Sequence, residues 1–79
     1  MDIIEYEKYI LKQLFTNKEA RDKIYPFLDP VYFEDDVNSR AIVQEYIKHY
    51  DEYKDYPTAR EFAARLSNEN TFDKFKDII

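Results

Sequence analysis

The chain contains no glycine among its 79 residues. Glycine enters positive φ angles without a steric penalty, and tight β-hairpin turns, phosphate-binding loops and nucleophile elbows rely on that freedom or on close backbone approach. None of these features can be built here in the usual way. The apolar residues instead recur at the three- and four-residue spacing of amphipathic helices along the whole chain. The sequence therefore predicts an all-α protein.

Length and composition predict one small packed domain. A hydrophobic content of 44%, with 18% aromatic residues, argues against disorder even though 37% of the residues are charged. There is no cysteine, so neither a disulfide framework nor a thiolate metal site can replace a hydrophobic core. We expect residues 1–79 to form a single domain, a small orthogonal bundle of about five helices.

The charge balance bears on partners and location. Seventeen acidic residues against 12 basic ones give a net charge of −5, which disfavours binding to a phosphate backbone. We therefore expect a protein partner and no direct nucleic-acid binding. The first residues are acidic rather than basic, and no apolar run approaches the roughly 20 residues that span a membrane. We expect a soluble, intracellular protein that does not contact a membrane.

Periodicity and capping residues set the expected helices. The predicted ranges are 3–15, 18–28, 37–54, 58–66 and 71–79. Asp2 is the expected N-cap of the first helix, and the acidic cluster 34–36 precedes the third. Thr16 with a glutamate three residues later predicts a capping box for the second helix, with Asn17 as the alternative cap. Thr58 has the same spacing before the fourth helix.

The stretch KIYPFLDPVYFEDD, residues 23–36, places two prolines in a dense apolar segment. Pro26 is expected in the final turn of the second helix, and Pro30 is expected to stop its continuation. This arrangement predicts that Leu28 and Phe33 enter one core from two directions. The predicted core residues are Leu11, Leu14, Ile24, Leu28, Phe33, Ile42, Tyr46, Phe62 and Leu66.

Candidate catalytic and metal-binding residues are sparse. His49 is the only histidine, and a metal site or a catalytic triad needs partners at defined positions. A structural histidine is the favoured interpretation. The carboxylates of residues 34–36 and of Asp51, Glu52 and Asp55 are interpreted as helix-end and solvated charges, because a calcium loop needs alternating ligands and a glycine turn. We expect no catalytic, metal or cofactor site in this chain.

Two features of the sequence resemble nucleic-acid-binding elements. Tyr46, Tyr50, Tyr53 and Tyr56 resemble a base-stacking platform, but acidic residues are interleaved with them, which favours core packing or a subunit interface. Residues 56–79 have the outline of a helix-turn-helix, although the start of the second helix lacks basic side chains and the turn lacks glycine. A DNA-binding regulator therefore remains an alternative.

An interface is predicted on the aromatic part of the third helix and on the apolar face of the last. Tyr and Phe there exceed what a small core requires, and aromatic residues are enriched at protein interfaces. The predicted interface residues are Tyr46, Tyr50, Tyr53, Phe72, Phe75, Ile78 and Ile79. Because the last helix ends in two isoleucines, we expect a piece of a longer chain or a domain that needs a partner.

The packing pattern over residues 4–70 resembles the N-terminal domain of DnaB-type replicative DNA helicases, most closely the shorter versions of tailed bacteriophages. The matching positions are Glu7, Ile10, Leu11, Leu14, Ile24, Phe27, Leu28, Pro30, Tyr32, Phe33, Ile42, Tyr46, Ile47, Tyr50, Pro57, Thr58, Phe62 and Leu66. YPFLDPVYFE and YPT are the most similar stretches. The sequence departs from many bacterial members in lacking a glycine in the first helix.

The resemblance implies a helical, non-catalytic module. In that family the domain assembles into a collar on a hexameric ring and contacts primase or a helicase loader during DNA replication. ATP and Mg²⁺ belong to a downstream motor domain with a P-loop, so this chain alone is expected to be neither an ATPase nor a helicase. The implied location is the cytoplasm of an infected or host bacterial cell. A stand-alone adaptor that binds a host protein is the alternative.

Overall fold

The computed structural model describes the backbone of residues 3–33 and 36–79, and within these ranges the side chains from residue 6 onward. Every regular element in these ranges is a helix. The helices are α1 (Ile3–Thr16), α2 (Lys18–Ile24), α3 (Val37–Tyr53), α4 (Ala59–Arg65) and α5 (Glu69–Ile78). Two 3-10 turns, Tyr25–Phe27 and Pro30–Phe33, connect α2 to α3. The prediction of an all-α bundle with five helices is confirmed. The predicted cap Asp2 and the acidic residues Glu34 and Asp35 lie outside the described residues.

The hydrogen bonds at the start of α2 show which of the two candidate residues, Thr16 or Asn17, is its N-cap. The Oδ1 atom of Asn17 accepts a hydrogen bond from the N–H of Ala20 at 3.1 Å. Thr16 belongs to the last turn of α1, where its hydroxyl donates to the carbonyl oxygen of Lys12 at 2.8 Å. Asn17 is therefore the cap. The alternative Thr16 box does not form because that hydroxyl is already engaged.

The later helices begin at side-chain caps as well. Thr58 accepts a hydrogen bond from the N–H of Glu61, as its spacing predicts. Asn68 accepts from two backbone N–H groups of the first turn of α5. This cap explains why α5 begins at Glu69, two residues before the predicted start.

The prolines end α2 earlier than predicted. The helix stops at Ile24 instead of reaching residue 28, and Pro26 lies in a 3-10 turn. The physical reason is that proline has no N–H with which to continue the α-helical hydrogen bonds. Pro30 opens the second 3-10 turn. That turn carries Phe33 into the core, while Leu28 packs against the edge of the core.

The core forms where α1, α3, α4 and α5 meet the second 3-10 turn. Its buried apolar residues are Leu11, Leu14, Phe33, Ile42, Val43, Tyr46, Phe62, Phe75 and Ile78. Ile24, Leu28 and Leu66, which were predicted to be buried, instead pack against this core while keeping part of their surface exposed. The ring of Phe15 lies between three core rings, with centroid distances of 5.2 Å to Tyr46, 5.0 Å to Phe62 and 5.1 Å to Phe75.

Two polar contacts fix α3 against its neighbours. The hydroxyl of Tyr46 donates to the carbonyl oxygen of Leu14 in the last turn of α1 at 3.1 Å. Burial raises the pKa of Tyr46, so this hydroxyl stays protonated. At the start of α3, Asp36 forms an ion pair with Lys74 of α5 at 2.7 Å. These contacts connect α3 to both α1 and α5.

The C-terminal end of α3 has an unusual backbone. Lys54 adopts φ 55° and ψ 30°, the left-handed conformation that glycine favours. It is the one residue with positive φ in the described part of the chain. Its N–H donates to the carbonyl oxygen of Tyr50 at 2.7 Å. A residue with a Cβ atom therefore occupies a position where many helices have glycine.

Candidate functional site

An open apolar groove lies between the first half of α1 and the two 3-10 turns, with a volume of about 540 Å³. We call it the α1 groove. Its rim consists of the exposed side chains Tyr6, Lys23, Phe27 and Tyr32. Its floor consists of Glu7, Ile10, Ile24, Leu28 and Phe33, of which Glu7 and Phe33 are buried.

The local sequence explains why these side chains converge. Tyr6 and Ile10 are one helical turn apart, so they lie on the same side of α1. Pro26 ends the α-helical path just before Phe27, and the Phe27 side chain is left 79% exposed. Tyr32, in the second 3-10 turn, is 69% exposed. The two 3-10 turns that contain the prolines therefore form one wall of the groove.

The lining of the groove is mainly apolar. Glu7 and Lys23 are the charged side chains that line it in the described residues, one on the floor and one on the rim. The rest of the lining is aliphatic or aromatic, which suits the apolar side chains of a partner. No group of three or more His, Cys, Asp or Glu residues in the described ranges is placed to hold a metal ion.

The seven predicted interface residues occupy different environments. Tyr46, Phe75 and Ile78 are buried in the core, Tyr50 and Phe72 are partly buried, and Tyr53 and Ile79 are exposed. The buried three pack against neighbouring helices and have no surface for a partner. The structure does not gather the seven into one face, and none of them lines the α1 groove.

The sequence reasoning missed Tyr6, Phe27 and Tyr32 as a surface. The sequence pattern identifies Phe27 and Tyr32 only as packing positions. Pro26 was a signal for the exposure of Phe27. Because this proline ends the helical periodicity, Phe27 no longer has to lie on the same face as Ile24, which packs against the core. Exposure of Tyr32 could not be read from spacing, since a four-residue 3-10 turn has no extended periodic face.

His49 and its neighbours form a second cleft near the end of α3. The Nδ1 atom of His49 lies 3.1 Å from the carbonyl oxygen of Asp55, to which an Nδ1–H group donates. Arg65 donates through Nε to Glu45 Oε1 at 3.0 Å, and this hydrogen bond raises the pKa of Arg65. The His49 ring also packs against Tyr53, with a centroid distance of 4.8 Å. These contacts hold the His49 ring against the end of α3 and the residues that follow it.

Tyr25, Tyr50 and Tyr56 pack against one another. The ring centroids of Tyr25 and Tyr50 are 4.7 Å apart, as are those of Tyr50 and Tyr56. The guanidinium of Arg21 lies 4.1 Å from the centroid of the Tyr56 ring. These faces are occupied by neighbours within the chain, which favours the packing interpretation over base stacking.

The fold and the groove together define a class, a small all-helical domain with an open apolar groove on its surface. Comparisons with known protein families, curated proteins and solved structures give no match. In the described part of the chain, the helices are too short or too polar to cross a membrane.

Proposed function

We propose that this chain is a non-catalytic protein-interaction domain, the N-terminal collar domain of a hexameric replicative DNA helicase of the DnaB type. The observation that carries the proposal is the α1 groove with its exposed aromatic rim. The chain would act by holding other proteins, with ATP and Mg²⁺ used in a separate motor domain of the same polypeptide.

The size of the exposed aromatic surface supports a binding role. Phe27, Tyr32 and Tyr6 are 79%, 69% and 56% exposed, and aromatic side chains bury about 150–250 Å² each, so the three offer roughly 400 Å². The largest apolar patch on a typical monomer is about 300–600 Å² and is often functional. The groove beside these rings supplies the pocket into which hot-spot side chains of a partner fit.

The sequence resemblance supplies the biological setting. The positions that match the helicase domain include both 3-10 turns, which form one wall of the α1 groove. Helicase collars assemble with their neighbours and contact primase or a loader, and both tasks need protein-binding surfaces. We assign partner recognition to the α1 groove. Self-association in a ring would use other faces of the domain.

Binding to the cognate primase or loader tests the proposal. The wild-type chain is expected to bind one of these proteins, and Phe27→Ala and Tyr32→Ala are each expected to weaken binding at least tenfold. Tyr9→Ala is the matched control, because Tyr9 is also exposed but does not line the groove. Equal binding by all four proteins, or no binding by the wild type to either partner, would contradict the proposal.

The coding sequence after Ile79 tests the helicase setting separately. A P-loop within the next few hundred residues is expected if the chain is a collar domain. A reading frame that stops without a motor domain would instead favour a stand-alone adaptor. The groove would keep its protein-binding role in that case, since that role depends on its exposed aromatic rim.

A further inference from the structure

We draw no further inference here: the strongest candidate, the α1 groove between the first half of α1 and the two 3-10 turns, carries none, because its described lining is mainly apolar and nothing in the structure shows what covers it.

Discussion

Replacing Lys54 with glycine is expected to stabilise the fold. Lys54 holds the left-handed conformation at the end of α3, with φ 55° and ψ 30°. That conformation costs a residue with a Cβ atom about 1–2 kcal/mol, and glycine avoids the cost. Glycine also loses about 0.5–1 kcal/mol more backbone entropy on folding. The free energy of unfolding should therefore rise by about 0.5–1 kcal/mol.

Thermal and urea denaturation followed by circular dichroism measure this change. For a domain of this size a gain of that magnitude raises Tm by about 2–8 °C. Lys54→Ala is the matched control, because it removes the same side chain but keeps the Cβ atom, and no comparable gain is expected. Lys48→Gly, at an exposed position inside α3, should lose about 1 kcal/mol. A Lys54→Gly protein no more stable than Lys54→Ala would refute the reasoning.

Three further predictions concern the core and the contacts of α3. Phe33→Ala should cost about 3–5 kcal/mol and largely unfold the domain, whereas Tyr32→Ala should melt like the wild type; equal melting of the two would disprove burial of Phe33. Tyr46→Phe should cost about 1–3 kcal/mol in urea denaturation, because a buried carbonyl loses its donor; an unchanged midpoint would argue against that hydrogen bond. Burial alone would raise the pKa of Asp36, but hydrogen bonds from Lys74 and two backbone N–H groups lower it. Its contribution to stability is therefore present above the unfolded pKa of about 3.9 and lost as pH falls through the lower folded value. Asp36→Asn keeps a capping side chain and should show a smaller loss on acidification; identical pH profiles would contradict the assignment.

Helix boundaries could be predicted from the sequence where a capping residue and a long apolar periodicity agree. Thr58 begins α4 as its spacing predicts, and α3 follows its apolar period closely. The predicted end of α2, residue 28, was four residues too late, because Pro26 disrupts the helical turn before it as well as its own position. A capping residue therefore predicts where a helix begins better than the apolar pattern predicts where a helix ends when a later proline causes the end.

The candidate surface was harder to predict than the helices. Tyr46 and Tyr53 are seven residues apart and lie near one face of α3, yet Tyr46 is buried and Tyr53 is exposed. Periodicity identifies a face of a helix but does not show how far the neighbouring helices extend along it. Phe75 is buried for the same reason, since the position of α5 against α3 and α1 is a tertiary property.

The hydrogen bond between Tyr46 and Leu14 has a consequence for how the domain opens. Carbonyl groups in the last turn of a helix have no partner within the helix, and a following glycine often helps to satisfy them. Here a phenol 32 residues away satisfies one of them. The last turn of α1 is therefore completed only when α3 is docked. We expect the amides of these two segments to exchange with solvent in one cooperative unit, rather than by separate fraying of α1.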